Sequence, residues 1–217
     1  MATIIDSPPL AERTLANLLD ELGNVPPSRI LLTPHPGTAT EQDVLEVERR
    51  TGRPPELIDG VLVEKTVGYT ESAIAAALII HLGNFVLPNK LGIVTGEAGT
   101  LRILPGQVRI PDVCFISRNH LPDGKVPDAP IPSLAPDLAI EILSPGNTPG
   151  EMARKLRDYF TARVRLVWYI DPRSRTAKVY TAVDESQTLS ENDVLDGGEV
   201  LPGFQLPLSK LFAELEL

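Results

Sequence analysis

Cysteine and histidine are scarce in this 217-residue chain, and their scarcity excludes several kinds of site. The single cysteine, Cys114, can form neither an internal disulfide nor a cysteine-based zinc site. The three histidines, His35, His81 and His120, are far apart in the sequence and show no spacing typical of zinc ligands. Because Cys114 lies in an apolar run, we expect it to be a buried and unreactive thiol.

Long hydrophobic runs and an excess of basic residues are also lacking. The longest apolar stretch, residues 73–82, is too short to span a bilayer, and the first residues show no basic segment followed by an apolar run. We therefore expect a cytoplasmic protein without a membrane partner. The net charge of −9 excludes a protein that coats nucleic acid by bulk electrostatics, so any nucleic-acid contact must be local.

The length of the chain suits one domain with a sizeable core and an N-terminal extension. Leucines at helical spacing before Gly23 predict a short amphipathic helix over residues 10–22. Four prolines between positions 25 and 40 then predict an extended connector. We assign residues 1–52 to this helical extension and connector, and residues 53–217 to the domain.

Apolar periodicity predicts alternating strands and helices in the rest of the chain. Asp59-Gly60, between two short β-type runs, is the strongest hairpin signal, and residues 70–86 are apolar enough to indicate a helix packed on both sides. Further helices are predicted at 41–51, 150–164 and 208–215, and further strands at 91–96, 99–104, 112–117, 137–143, 165–171 and 176–183. Six acidic residues between positions 184 and 199 predict a solvated loop. The order of elements predicts an α/β fold in which helices flank a mixed sheet.

Two of the predicted strands begin with Pro-Asp, which places Asp112 and Asp137 at the strand ends. The second of these strands also contains Glu141 between two isoleucines, where burial of an unpaired charge is strongly unfavourable. Glu141 is therefore either paired or metal-bound in the core, or it faces water from an edge strand.

Asp112 and Asp137 compete as the partner of Glu141 at one metal ion. Asp137 lies on the same strand as Glu141, about 13 Å away at roughly 3.3 Å per residue, which is too far to share an ion. Asp112 lies on another strand and has no such limit. Two converging carboxylates repel each other unless a hard cation such as Mg²⁺ neutralises them.

Two basic residues flank these acids in the sequence. Lys155 borders the apolar stripe of the helix that follows, so its stem is expected to be half-buried and its tip to reach a site, although a helical lysine alone is more often solvated. Arg109, shortly before Asp112, can contact a neighbouring phosphate or form a structural salt bridge.

Taken together, these segments resemble the Uma-two family, which is placed in the PD-(D/E)xK restriction-endonuclease-like superfamily. The resemblance covers about residues 40–217, and the segments that carry it appear in the family's order: 56–65, 108–117, 136–148 and 151–160. It implies a restriction-endonuclease-like mixed sheet flanked by helices, and it suggests a homodimer. The activity that it implies is cleavage of DNA with Mg²⁺ or Mn²⁺ as the cofactor.

The same resemblance assigns roles to four residues. Asp112 and Glu141 are implied to be the metal ligands, and Glu56 an accessory acid from the early part of the fold. The superfamily motif Glu-x-Lys is replaced here by Glu141-Ile142-Leu143, so the lysine is missing from the strand. The resemblance assigns its role to Lys155 on the next helix, which would orient the attacking water or stabilise developing charge.

A function of another class stays open: a catalytically silent module that keeps this fold and binds a protein partner. The acidic balance of the chain favours that alternative. The intact set of Asp112, Glu141 and Lys155 favours the nuclease.

Overall fold

Side-chain caps mark where two helices begin in the computed structural model, which describes residues 14–66 and 68–216. The Asp43 carboxylate accepts a hydrogen bond from the Thr40 N–H at 2.8 Å, and the Glu151 N–H donates to the Thr148 hydroxyl at 3.1 Å. The helices, in chain order, are α1 (Leu15–Glu21), α2 (Glu41–Thr51), α3 (Tyr69–Val86), α4 (Pro149–Thr161) and α5 (Leu208–Ala213). Each predicted helix is confirmed, and the part of the first one before residue 14 lies outside the described residues.

Within the described residues, the strands form two larger sheets and a two-stranded ribbon. They are β1 (Ile30–Leu31), β2 (Glu56–Ile58), β3 (Val61–Val63), β4 (Gly92–Gly96), β5 (Leu101–Leu104), β6 (Gln107–Arg109), β7 (Val113–Ser117), β8 (Leu138–Ile142), β9 (Leu166–Asp171), β10 (Thr176–Tyr180), β11 (Ser186–Leu189), β12 (Val194–Asp196) and β13 (Gln205–Pro207). The first sheet has the order β1-β3-β2-β6-β5, the second β11-β10-β9-β8-β7-β4, and the ribbon β12-β13. Only β8 and β9 run parallel, and α4 is their crossover connection. The predicted mixed sheet with flanking helices is confirmed, although its division into separate sheets was not predicted.

Helices cover both faces of the second sheet. Val113, Ile140 and Trp168 belong to the core under α3 and α5, whereas Cys114 and Ala139 belong to the core under α4. The predicted burial of Cys114 is confirmed, and burial raises the pKa of its thiol to about 11. All five residues of β8 are buried, because both faces of this interior strand are covered, so a charge on it needs compensation inside the protein.

The long helix α3 differs from its prediction. It packs Ile74, Leu78 and Leu82 into the sheet, but Ile80 on the same helix is 59% exposed, so the helix is packed on one side and not on two. By length and composition alone α3 could cross a membrane, a test that the core helix of a globular protein also passes. Its alanines explain the error, since small apolar residues near the surface raise the hydrophobic content without marking a second buried face.

The charge pattern predicted one solvated loop between residues 184 and 199, and this prediction is wrong. It contains β11, which extends the second sheet beside β10, and β12, which pairs with β13. Leu189 and Leu195 anchor these two strands in the core, and both are buried. Of the six acidic residues only Asp196 lies on a strand, and the others lie in the connections before, between and after these strands. The count of charges alone did not distinguish such connections from one continuous loop.

The N-terminal segment packs against the start of α4 through two glycines. A Cβ atom on Gly150 would lie 2.5 Å from the carbonyl oxygen of Gly23, closer than real side chains approach. The Thr148 hydroxyl donates a hydrogen bond to the same carbonyl at 2.6 Å. The close backbone approach therefore requires glycine at position 150.

An arginine adds an ion pair to this contact. The Arg29 guanidinium donates to both carboxylate oxygens of Glu151, at 2.7 Å and 2.9 Å, and to the carbonyl oxygen of Gly146 at 3.1 Å. It also donates to the carbonyl oxygen of Glu64, just after β3, at 2.7 Å. Arg29 thus joins the N-terminal segment, the end of a hairpin and the first turn of α4.

Gly150→Ala is expected to lower the free energy of unfolding by about 1–3 kcal/mol, because the new methyl group overlaps the Gly23 backbone. Urea unfolding followed by circular dichroism measures the change. Gly83→Ala in α3 is the matched control, since nothing lies within 4 Å of its Cβ position and alanine favours a helix by up to about 1 kcal/mol. Equal effects of the two substitutions would contradict the proposed contact.

Candidate active site

The sheet register brings Asp112 and Glu141 to neighbouring positions. Val113 pairs with Ile140 in the antiparallel ladder of β7 and β8, so Asp112 and Glu141 are the next pair along it. One Asp112 oxygen accepts a hydrogen bond from the Ile142 N–H at 2.7 Å. Side chains opposite each other in such a ladder share a face, and here it is the face under α4.

Glu141 is deeply buried, and the alternative of an edge strand facing water is wrong. Its strand, β8, lies between β7 and β9, and the residue is 3% exposed. The Tyr159 hydroxyl donates a hydrogen bond to one carboxylate oxygen of Glu141. Both neighbours along the strand are buried apolar residues, so the compensation of its charge must come from α4.

Lys155 supplies that compensation and links the two larger sheets. Its ammonium lies 3.0 Å from Glu141 Oε2 on β8 and 3.2 Å from Glu56 Oε1 on β2. The lysine is 3% exposed, so the whole side chain is buried and not only its stem. The structure therefore brings three of the four residues named from the sequence into direct contact: Glu56, Glu141 and Lys155.

Glu56 has a second cation of its own. Arg109 Nη1 lies 2.8 Å from Glu56 Oε2, and the Ile110 N–H donates to Glu56 Oε1 at 3.1 Å. The guanidinium also binds Asp158 on α4, and Arg109 is 1% exposed. Of the two roles open to Arg109 in the sequence, the structure shows the salt bridge, and its burial leaves no contact for a phosphate from solvent.

Lys65 is a residue of this cluster that sequence reasoning missed. Its ammonium lies 2.7 Å from Asp112 Oδ1 and 2.6 Å from the carbonyl oxygen of Ile110. The side chains of Lys65 and Asp112 are 13% and 17% exposed, so this ion pair forms the more accessible end of the cluster. One signal in the sequence could have indicated Lys65. It lies just after β3, and β3 is the hairpin partner of the strand that carries Glu56.

The two glutamates that share Lys155 have opposite pKa shifts. Burial is the largest single effect on both glutamates, and it raises the pKa. At Glu56 the charges of Lys155 and Arg109 together outweigh burial and lower the pKa to about 2. At Glu141, burial together with the negative charge of Asp112 outweighs Lys155 and raises the pKa to about 7. Glu141 is therefore the carboxylate with incomplete compensation.

Asp137 belongs to a separate ion pair near the beginning of β8. Its carboxylate binds Arg165 at 2.7 Å and His120 at 3.0 Å, and it accepts a hydrogen bond from the Ser117 N–H at 2.7 Å. Asp137 precedes β8, whereas Glu141 lies near the end of the strand. Asp137 is therefore not a partner of Glu141.

The donor set suits a hard divalent cation that keeps water ligands. Among residues 14–66 and 68–216, no group of three or more His, Cys, Asp or Glu side chains is arranged to hold a metal ion. Mg²⁺, however, is commonly held by one or two carboxylates together with waters, and Asp112 and Glu141 provide two. The raised pKa of Glu141 marks negative charge that such a cation would neutralise.

A cleft of about 510 Å³ opens beside this cluster. Its walls are formed by the end of α2, by Glu64, Lys65 and Gly68 between β3 and α3, and by the turn after β4. Since Lys65 also contacts Asp112, the cleft leads from solvent to the accessible end of the charged cluster.

The metal-free protein should lose stability as the pH rises through the titration of Glu141. Between its ordinary pKa of 4.5 and about 7, the folded state holds more protons on Glu141 than the unfolded state, so the free energy of unfolding falls across this window. Glu56 acts at lower pH: its stabilisation is lost as the pH falls from 4.5 towards about 2.

Urea unfolding of wild type and Glu141→Gln in EDTA, between pH 5 and 8, tests the first of these effects. The amide does not titrate, so wild type is expected to lose stability relative to the variant as the pH rises. Glu199→Gln, at an exposed position, controls for the loss of one negative charge. Parallel curves for wild type and Glu141→Gln would show that Glu141 does not titrate in this range.

Comparison with known proteins shows the family and the fold of the chain. The family described as "Putative restriction endonuclease", Uma2, matches residues 41–209 of the chain. A crystal structure described as "a putative nuclease belonging to DUF820 from Anabaena variabilis ATCC 29413" is similar, with a TM-score of 0.67 and 22% sequence identity over 76% of this chain and 93% of that chain. No curated protein matches the sequence. The structural similarity confirms the predicted α/β fold, and the family match agrees with its assignment as restriction-endonuclease-like.

Proposed function

Because this chain belongs to the Uma-two (Uma2) family of restriction-endonuclease-like proteins, we propose that it is a metal-dependent nuclease that hydrolyses phosphodiester bonds in DNA. The observation that carries the proposal is the position of Glu141, a carboxylate buried in the interior strand β8 opposite Asp112 in the ladder with β7. Burial and the charge of Asp112 raise its pKa, which agrees with incomplete compensation of its charge. A purely structural ion pair would gain stability from full compensation, as Glu56 does with Arg109 and Lys155. Incomplete compensation suits a site that receives a further cation.

Asp112 and Glu141 would hold Mg²⁺ or Mn²⁺, which when bound polarises a phosphodiester and lowers the pKa of a water ligand. Lys155 holds Glu141 in place with its ammonium at 3.0 Å, and Glu56 fixes the same ammonium from the other sheet. Burial alone would lower the pKa of Lys155, but the two glutamates raise it above its ordinary value. Lys155 therefore acts as a permanent cation and hydrogen-bond donor, and not as a base.

Lys65 has the position for contact with the substrate. It lies at the accessible end of the cluster, where its ammonium can donate to a phosphate oxygen in place of Asp112. That exchange would release an Asp112 oxygen for the cation. The hydrogen bond from the Ile142 N–H keeps the other Asp112 oxygen oriented towards β8.

The ion pair between Lys65 and Asp112 also favours the second candidate, a silent module that binds a protein partner. Because Lys65 already neutralises Asp112, the cluster would be a stable ion-pair network without a metal ion in this second candidate. A cytoplasmic location and a homodimer stay predictions of both candidates.

A cleavage assay separates these candidates. The purified full-length protein is incubated with labelled single- and double-stranded DNA at low ionic strength with excess Mn²⁺, because a chain of net charge −9 binds polyanions weakly at high salt. We expect cleavage that EDTA abolishes. If every DNA substrate stays intact with Mn²⁺ and with Mg²⁺, the nuclease proposal fails and the silent module becomes the better account.

A further inference from the structure

The cleft borders the charged cluster at Lys65. The exposed fraction of the side chains falls from 17% at Asp112 to 5% at Glu141 and 2% at Glu56, so the cluster becomes less accessible with depth. Lys65 lines the cleft and touches Asp112 at 2.7 Å. A ligand in the cleft therefore meets Lys65, the residue that joins the cleft to Asp112.

An aromatic ring stands at the margin of this cleft. Tyr69, the first residue of α3, lines the cleft and is 95% exposed. The other large hydrophobic residues exposed on the described part of the chain are aliphatic. Tyr159 and Tyr169, by contrast, are buried and hydrogen-bonded. An exposed tyrosine at the margin of a cleft offers a flat apolar face to a ligand.

The charges of the cleft do not favour a polyanion. Arg53 and Lys65 contribute positive charge to its lining, while Glu64 and Glu97 contribute as much negative charge. The whole chain carries a net charge of −9. Counterion release from phosphates is therefore a weak source of affinity here, and a contact that does not depend on charge has to supply much of the binding.

We propose that the cleft binds an unpaired nucleobase stacked on Tyr69, with the adjoining phosphate directed to Lys65, so that the preferred substrate is single-stranded nucleic acid. Base stacking on an aromatic side chain tolerates any sequence, because every base has a π-face. Bases in a duplex are stacked on one another, and each must be extruded before it can reach the ring. The substrate class proposed here rests on the nuclease proposed above.

Binding measured without cleavage tests this inference. Fluorescence anisotropy with Ca²⁺ in place of Mn²⁺ compares three labelled oligonucleotides of roughly a dozen nucleotides, a length within the usual range for single-strand sites. These are oligothymidylate, a duplex, and an abasic strand that keeps the phosphates but lacks the bases. We expect the affinity order to be oligothymidylate first, with the duplex and the abasic strand weaker.

Substitutions at Tyr69 locate the contact. Tyr69→Ala is expected to weaken oligothymidylate binding by about 5- to 150-fold, which corresponds to about 1–3 kcal/mol per stacked base, and to leave binding of the abasic strand unchanged. Tyr69→Phe keeps the ring and should bind like wild type. Ile80→Ala removes another exposed side chain of α3 that does not line the cleft, and it should also bind like wild type.

The outcomes also separate this inference from the nuclease proposal. Tight binding of oligothymidylate that depends on Tyr69, without any cleavage in Mn²⁺, supports the stacking site and contradicts the nuclease. Cleavage of DNA that Tyr69→Ala does not affect, with the duplex bound more tightly than the single strand, supports the nuclease and overturns the stacking site. Equal loss of affinity for oligothymidylate and for the abasic strand in Tyr69→Ala also overturns it.

Discussion

Asp112→Asn and Glu141→Gln are each expected to reduce Mn²⁺-dependent cleavage by at least about 100-fold, the upper end of what loss of an outer-shell partner costs a metal enzyme. Each substitution keeps the size of the side chain and removes a charged metal ligand. Initial rates at saturating Mn²⁺ and low salt, together with calorimetric titration of Mn²⁺, measure activity and metal binding in parallel. Both readouts should fall together.

Asp137→Asn is the matched control for these two variants. It also removes a buried carboxylate at the mouth of a strand in the same sheet, but it breaks the ion pair with Arg165 and not the cluster at Lys155. Its stability should fall while its rate per folded molecule stays near that of wild type, with the folded fraction taken from circular dichroism. If Asp112→Asn cleaves as fast as Asp137→Asn, then Asp112 is not a metal ligand.

Lys155→Met is expected to lower the free energy of unfolding by about 3–5 kcal/mol at pH 8, because it leaves Glu141 buried without a cation. Glu56 keeps Arg109, so the larger loss falls on Glu141. At pH 5 the loss should be smaller, since Glu141 then takes up a proton. Urea unfolding in EDTA at the two pH values measures both effects.

Two further variants distinguish this cause from a general defect of α4. Arg157→Met removes an exposed cation from the same helix and should change stability by no more than about 0.5 kcal/mol. The double variant Lys155→Met with Glu141→Gln removes both charges and should recover part of the lost stability. A double variant that is no more stable than Lys155→Met alone would contradict a direct pairing of the two residues.

The sequence predicted those parts of the fold and site that depend on local pattern. The apolar run around Glu141 indicated a strand, and apolar periodicity indicated the helices α2 and α4. The family resemblance implied two further site residues, Glu56 as an accessory acid and Lys155 as the lysine missing from the strand. In the structure, the Lys155 ammonium lies 3.0 Å from Glu141 and 3.2 Å from Glu56.

What the sequence did not predict depends on contacts between distant segments. Lys65 contacts Asp112 only because the first sheet packs beside the second. No local sequence pattern predicts how two sheets pack. The strands within the acidic stretch were missed for a similar reason, since Leu189 and Leu195 are anchored by the remote core. The pairing of Arg109 with Asp158 likewise required the position of α4 over the sheets.

The contact of Arg29 with the first turn of α4 bears on where a shortened version of this protein could begin. The family match starts at residue 41, after the segment that carries Arg29. A chain cut at that boundary would retain Glu151, 4% exposed in the intact protein, without the guanidinium that binds both its oxygens. The region defined by sequence similarity therefore omits contacts that hold the first turn of α4, the helix that carries Lys155. We expect a chain that begins at residue 41 to be less stable than the full-length protein.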